Sequence, residues 1–217
     1  FDPTGRQAKE GDTLLVDAAS GYGGPGGYQS DVTRVVPIGK KFSAGQQALY
    51  EVVLRAQQEA IQSVKSGVEF RDIHAQAVRT IATGLIDMKI LKGPVESRIE
   101  DGSCELLFPH GLGHLIGLHT HDMQRYVAPG RTLDLTIPGK RKCKMDFTIQ
   151  PGQVFTIEPG VYLALWTLNK PAIREQYADA FNWDVVDRLL ETGEAGYAVR
   201  IEDDILVTEK GPIVLTE

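Results

Sequence analysis

Glycine and histidine between residues 110 and 122 constrain this chain more than any other stretch. The run His110-Gly111-Leu112-Gly113-His114-Leu115-Ile116-Gly117-Leu118-His119-Thr120-His121-Asp122 holds four of the chain's five histidines. Gly111, Gly113 and Gly117 argue against a stable helix, because glycine costs about 1 kcal/mol relative to alanine in a helix interior. The zinc-protease helix motif is also absent, since it needs a Glu directly after its first His. An extended segment, roughly Leu106 to Leu118, is expected instead, with glycines where other backbone or a ligand comes close. Alternate side chains of a strand share a face, which would place His110, Leu112 and His114 together. Each imidazole brings two nitrogens that need partners, so histidines this dense are seldom present only to pack. If one of them binds a metal, the rest of the chain must supply the other ligands.

Composition narrows the field. A chain of 217 residues with 42% hydrophobic residues can build one large core or two small ones. A net charge of −6 and no long basic tract argue against a nucleic-acid partner. No apolar run has the length of a membrane span, and no secretory signal is visible, so a cytoplasmic protein is expected. Cys104 and Cys143 are then two free thiols in a reducing compartment. The sequence begins at Phe1 instead of Met, which suggests a fragment or a processed product.

Residues 12–18 predict a strand interrupted by Asp17. A glycine loop, Gly21 to Gly27 around Pro25, leads to a second strand, Tyr28 to Ile38, interrupted by Asp31. A strand, a glycine loop and a strand make a β-hairpin. Arg34 is a candidate salt-bridge partner for Asp31, whereas Asp17 has no basic neighbour in sequence. Ser43 and Gln46 fit a capping box opening a helix that Gly67 ends. A second helix is expected from Phe70 to about Ile86, with His74 on a solvated face and without a role. Residues 92–105 are polar and loop-like, and a long irregular segment runs from 122 to 146. Its basic run, Lys140 to Lys144, is expected to be a solvated hairpin tip. Gln153 to Leu163 predicts a strand containing Glu158, with Pro159 marking an edge, a bulge or an end. An insertion at 164–198 carries Trp166, Tyr177, Phe181, Trp183 and Tyr197, with a short helix at 183–191 capped by Asn182. Strands at 198–208 and 213–215 close the chain, the first carrying Glu202.

Four apolar strands therefore each hold an acid that the pattern does not explain: Asp17, Asp31, Glu158 and Glu202. Buried carboxylates are costly unless paired or metal-bound. Four of them beside a histidine cluster point to a shared partner. Two divalent cations would balance their charge, and an oxygen-rich set with one imidazole suits Mn(II), Mg(II), Co(II) or Fe(II). Two such ions can lower the pKa of a shared water, with a carboxylate beside it as general base. The remaining histidines could donate hydrogen bonds to a substrate oxygen.

Together, Asp17, Asp31-Val32-Thr33-Arg34, His110-Gly111-Leu112-Gly113-His114, His121-Asp122, Thr156-Ile157-Glu158-Pro159-Gly160 and Arg200-Ile201-Glu202-Asp203 resemble the motifs of the pita-bread metallopeptidases. The resemblance spans nearly the whole chain in the right order, and is greatest to the aminopeptidase P and prolidase branch, which cleaves the bond before proline. It implies an α+β pita-bread fold, an antiparallel sheet with helices on its outer face. It also implies two divalent metal ions, Mn(II) by family expectation, with Co(II), Zn(II) or Fe(II) as alternatives. The implied ligands are Asp17, Asp31, His114, Glu158 and Glu202, with Asp31 and Glu202 bridging. Glu158 would also shuttle protons as a bridging hydroxide attacks the scissile carbonyl. His121 and His110 would face substrate, and Arg200 would orient carboxylates from behind. His119 has no implied role.

Methionine aminopeptidases share the five ligands, but the Arg-Ile-Glu-Asp-Asp ending resembles the proline-directed branch. A non-catalytic binding or chaperone module, and a metal-free creatinase-like hydrolase, both predict ligand losses not seen here. Three departures from the family stand out. The gap from Asp17 to Asp31 is longer than usual, and the glycine loop is expected to absorb it. Ala19 stands where Gly is common. The family's two helices, first strand and upstream His, which precede its first Asp, are expected to be missing. Residues 1–217 would then be a catalytic domain incomplete on its N-terminal side, with an apolar patch exposed. The expected partners are a peptide with proline in second position, and either a second copy of the chain or a chain carrying the absent part.

Overall fold

A hairpin opens the chain. In the computed structural model, which describes residues 7–24, 26–123, 125–194, 196 and 198–216, β1 (Thr13–Gly21) pairs antiparallel with β2 (Gln29–Pro37). Phe1, Pro25 and Tyr197, singled out in the sequence, lie outside the described residues. The glycine-rich connection falls beyond the last pair, Gly21 with Gln29, so it absorbs the long gap between the two acids without shifting register. Asp17 stands opposite Thr33 and Ala19 opposite Asp31, which makes the two acids diagonal neighbours on one face. Leu14 and Val36, cross-strand partners on this hairpin, are both close to half exposed, and so is Val16.

Two long helices follow. α1 (Ala44–Ser63) opens with the expected capping box: the Ser43 hydroxyl accepts the Gln46 amide and the Gln46 side chain accepts the Ser43 amide. Its stripe of Leu49, Val52, Val53, Ala56 and Ala60 is buried, as the spacing predicts. α2 (Phe70–Asp87) packs on it so closely that a Cβ at Gly84 would lie 2.4 Å from the Val52 side chain. The contact requires glycine there despite its low helix propensity. The loop expected at 92–105 is instead two short helices, α3 (Val95–Glu100) and α4 (Ser103–Leu107). Helices this short carry too few apolar positions for a period to show; a local bond from the Ser103 amide to the Asp101 carboxylate helps start the second.

β3 (Tyr126–Val127) and β4 (Met145–Asp146) form a short parallel pair. The strand predicted at 153–163 breaks at Glu158-Pro159 into β5 (Val154–Ile157) and β6 (Gly160–Tyr162). The insertion is more helical than expected: α5 (Leu165–Leu168), α6 (Pro171–Gln176) and α7 (Trp183–Thr192), with Asn182 at the cap of α7 but making no side-chain bond there. Most of its aromatics pack. Phe181 is buried and stacks on Trp183, whose ring lies under Arg174. Trp166 is the exception and stands exposed.

The predicted strand at 198–208 is also two strands, β7 (Ala198–Arg200) and β8 (Asp203–Thr208). β7 pairs with β6, and β8 lies between β5 and β9 (Gly211–Val214), all antiparallel. A bridge between Thr33 and Glu202 ties the hairpin to the junction of β7 and β8. α1 packs against β5, β6 and β7, so one layer of helices covers one side of a broken antiparallel sheet. Among the described residues the buried apolar side chains, Ile116 apart, form one cluster. Among the described residues no helix is long and apolar enough to cross a membrane.

Candidate metal centre

Two of the four acids of interest sit where a strand stops, and the other two lie within paired strands. Glu158 lies between β5 and β6, Glu202 between β7 and β8, and Asp17 and Asp31 on the two arms of the hairpin. At such breaks a side chain leaves the alternation of the sheet and can point along a seam between strands.

The His-rich stretch supplies the opposite wall, but not as the strand predicted from Leu106. Leu106 and Leu107 close α4, and a regular ladder does not form beyond them. The chain instead runs extended beside β5: the Thr156 amide donates to the His114 carbonyl at 2.9 Å and the Glu158 amide to the Leu112 carbonyl at 2.7 Å. A Cβ at Gly113 would lie 1.9 Å from the Thr156 carbonyl oxygen, the close backbone approach that the glycines implied. His110 and His114 both reach Glu158, while Leu112 between them is buried in the core.

His114 is nearly buried. Its Nδ1–H donates to the Leu115 carbonyl at 3.1 Å, which leaves the lone pair on Nε2. That nitrogen has no hydrogen-bond partner among the described residues. Around it lie Asp31 Oδ2 at 3.5 Å, Glu158 Oε1 at 3.6 Å and Glu202 Oε1 at 4.0 Å. Burial holds the ring's pKa below the ordinary histidine value, against the Leu115 hydrogen bond. A lone pair facing three ionised carboxylates is unfavourable unless a proton or a metal cation stands between them.

The carboxylates show the same strain. Burial and the nearby Glu202 charge push Glu158 well above the usual range. Glu202 is pushed up to about 7 by burial, although the Thr33 hydroxyl donates to it at 2.5 Å. Asp31 is raised by burial and by Asp17, and its Oδ1 is buried without a partner among the described residues. Arg200 is the cation beside them: its guanidinium bonds Asp17 and the Tyr162 hydroxyl, and its Nε lies 3.6 Å from Glu202 and 3.9 Å from Glu158. One guanidinium does not balance four acids.

Three groups of side chains each place ligand atoms within 4.8 Å of one another: Asp17, Asp31 and Glu202; His114, Glu158 and Glu202; Asp31, His114 and His121. All five residues singled out as ligands converge here. Glu202, Asp31 and His114 each belong to two of the groups. Arg34 does not neutralise Asp31; it pairs with Asp203 at 2.5 Å. His121 is exposed, with its ring 4.4 Å from that of His114. His110 is held neutral by burial, with a pKa of about 4; its Nδ1–H donates to the Gly111 carbonyl and its Nε2 lies 2.9 Å from the Tyr162 hydroxyl. His119 is exposed, as a residue without a role can be.

Three residues enter that the sequence did not single out. Thr33 joins Glu202 to Arg200, and Tyr162 joins His110 to Arg200. Asp204, buried and pushed up to about 6, accepts the Asp31 amide. Each is a polar residue in or next to a motif strand, but its partner lies far away in sequence, so no local signal marks it.

The basic run 140–144 is a correction. It folds back over the helices and is not a solvated tip. Arg141 bonds Glu105 and the carbonyls of Ile99 and Glu100, Lys140 bonds Asp72, and Cys143 is buried. Lys142 and Lys144 are thereby carried to a cleft of about 590 Å³ over the centre, which Pro109, Gly111, His110, His114, His121, Glu158 and Arg200 also line. His74 is the second correction, since it is fully buried.

A cluster of carboxylates and imidazole, on and between the strands of an antiparallel sheet backed by helices and opening to a cleft, is a donor set suited to divalent ions. The comparisons agree. The chain belongs to metallopeptidase family M24, whose model matches residues 1–209, and it has that family's pita-bread fold. It is 36% identical to a probable Xaa-Pro aminopeptidase of Neosartorya fischeri, over 97% of this chain and 42% of the relative. It is 34% identical to the Xaa-Pro dipeptidase of Homo sapiens, over 99% of this chain and 42% of the relative. Among solved structures it is similar to proline aminopeptidase P II from Yersinia pestis, with a TM-score of 0.69, 29% identity, and coverage of 97% of this chain and 40% of the other. An aminopeptidase of Pseudomonas aeruginosa gives a TM-score of 0.69 at 30% identity. The chain thus spans less than half the length of these relatives. Membership of the family implies a divalent metal.

Proposed function

We propose that residues 1–217 form the catalytic domain of a peptidase with two divalent ions, Mn(II) by preference, that hydrolyses the bond before proline. The observation that carries it is the unpartnered Nε2 of His114, facing Asp31, Glu158 and Glu202 in a cleft. Asp17, Asp31 and Glu202 would hold one ion, and His114, Glu158 and Glu202 the other. When bound, the ions supply an acidified water and a positive surface for the substrate carbonyl.

The chain's own residues do the rest. Glu158, which lines the cleft, takes the proton released as water adds to the scissile carbonyl. It then delivers that proton to the proline nitrogen as the C–N bond breaks. His121, exposed beside His114, donates a hydrogen bond to the oxygen that gains charge. Arg200 orients Asp17 and Glu202, and with Tyr162 it holds His110 against the cleft wall. Lys142 and Lys144 stand at the cleft, where an ammonium meets the carboxylate end of a short peptide.

Similarity to both an Xaa-Pro aminopeptidase and an Xaa-Pro dipeptidase supports the bond, and the substrate length follows from a direct test. The whole protein, loaded with Mn(II), is given an Xaa-Pro dipeptide and an Xaa-Pro-Xaa tripeptide. Release of the first residue is expected from at least one of them. Cleavage of neither overturns the reading.

A further inference from the structure

We propose that His74 is a positioning residue that fixes the spacing of His110 and His114 by accepting the backbone amide between them. The Leu112 amide donates to His74 Nδ1 at 3.1 Å. His74 lies on α2, in the helical layer behind the centre, and is fully buried. It thereby links that layer directly to the backbone that carries both histidines.

The need for this contact follows from how the extended stretch is held. Its carbonyls at Leu112 and His114 pair with the Glu158 and Thr156 amides. Its amides point elsewhere. The His114 amide finds the Thr156 hydroxyl at 3.1 Å, and the Leu112 amide finds His74. A buried amide without an acceptor is unfavourable, so the segment would shift or twist to find one. Gly113 cannot absorb such a shift toward β5, where the Thr156 backbone already touches it. The same ring also backs His110. Its centroid lies 5.6 Å from that of Phe108, and Phe108 meets His110 edge-on at 5.1 Å. One side chain therefore braces both histidines, one through an amide and one through a ring.

The chemistry of the ring fits an acceptor and little else. Accepting at Nδ1 places the hydrogen of the neutral ring on Nε2, which faces no partner among the described residues. Burial drives the pKa down to about 3, so the ring stays neutral and the acceptor persists across the working pH range. An apolar side chain of this size would spare the fold an unpaired Nε2–H, but it would orphan the Leu112 amide.

The inference rests on the proposed metal centre only for its effect on metal. Two variants separate acceptor from volume: His74→Leu removes the acceptor, and His74→Asn places an amide oxygen where Nδ1 stood. Hydrogen–deuterium exchange at the Leu112 amide and Mn(II) affinity by calorimetry are read on the whole protein, starting from its metal-free form. In His74→Leu the Leu112 amide is expected to lose protection, and Mn(II) affinity to fall about ten- to a hundredfold, the scale for groups that orient ligands from behind. His74→Asn is expected to keep the protection and most of the affinity. An unchanged Leu112 amide in His74→Leu overturns the proposal, as does an equal loss in both variants, which would make ring volume the cause. If the unaltered protein binds no Mn(II), the metal reading falls, and the exchange comparison still decides the role of His74.

Discussion

Asp17 and Glu202 reach the same few ångströms of space from opposite surroundings. The Asp17 side chain is 52% exposed and that of Glu202 is 2% exposed. Asp17 sits on an open hairpin arm, where water and the Arg200 guanidinium satisfy it. Glu202 lies under the hairpin, bridged to Thr33, with Asp31 and Glu158 as neighbours. The difference shows which part of the cluster requires a cation. An exposed acid is tolerated by any fold, whereas a buried group of acids must shed charge to protons or to metal. The open end of the centre is easy to build, and the closed end is where stability has been given up for a site.

The largest expected effect comes from removing charge at the closed end. Glu202→Gln keeps the shape and an acceptor for the Thr33 hydroxyl. Peptidase activity should fall by about a thousandfold or more, on the scale of lost transition-state electrostatics, while the thermal midpoint of the metal-free protein rises. A drop in that midpoint would show that Glu202 is satisfied without a cation and would erase the contrast. Asp17→Asn should act more mildly. One Mn(II) is expected to weaken in titration by more than the roughly ten- to hundredfold lost with a group that only orients a ligand, with the metal-free midpoint little changed. Equal effects of the two variants on metal-free stability would break the comparison.

The smallest effect is on the pH dependence of stability. Glu202 titrates near 7 in the folded chain, against 4.5 for an unperturbed Glu, and Asp204 near 6. Between these limits the folded state holds protons that the unfolded chain has released. The metal-free protein should therefore lose stability as pH rises from 4.5 toward 7. Mn(II) should reverse the slope, because the ion replaces those protons. Chelated samples melted across this range check both signs, and Asp17→Asn, which removes one of the charges that raise Asp31 and Glu202, should make the slope shallower.

Much of the centre is legible in local sequence. Apolar runs interrupted by single acids mark Asp17, Asp31 and Glu158, and a run of three acids between apolar segments includes Glu202, because a charge inside an apolar strand has no local explanation. The hairpin and the α1 capping box are local patterns too, and both form where those patterns lie. The short helices α3 and α4 are hidden because five or six residues carry no period. The strand breaks at Glu158 and Glu202 are only half visible: Pro159 announces the first, and nothing local announces the second.

His74 and the run 140–144 mark the other boundary. A histidine on a helix and a cluster of lysines both look solvated when only their neighbours in sequence are considered. Whether they are depends on what the fold brings against them. The Leu112 amide is the partner of His74, and Glu105, Asp72 and the helix carbonyls are the partners of the basic run. By itself the sequence determined the chemistry of the site, since residue type sets which atoms can hold a cation or move a proton. Tertiary structure alone decided which acids are buried, which histidine is left with a lone pair among them, and what braces it. Burial and contact at long range are properties of the packed chain, not of any stretch within it.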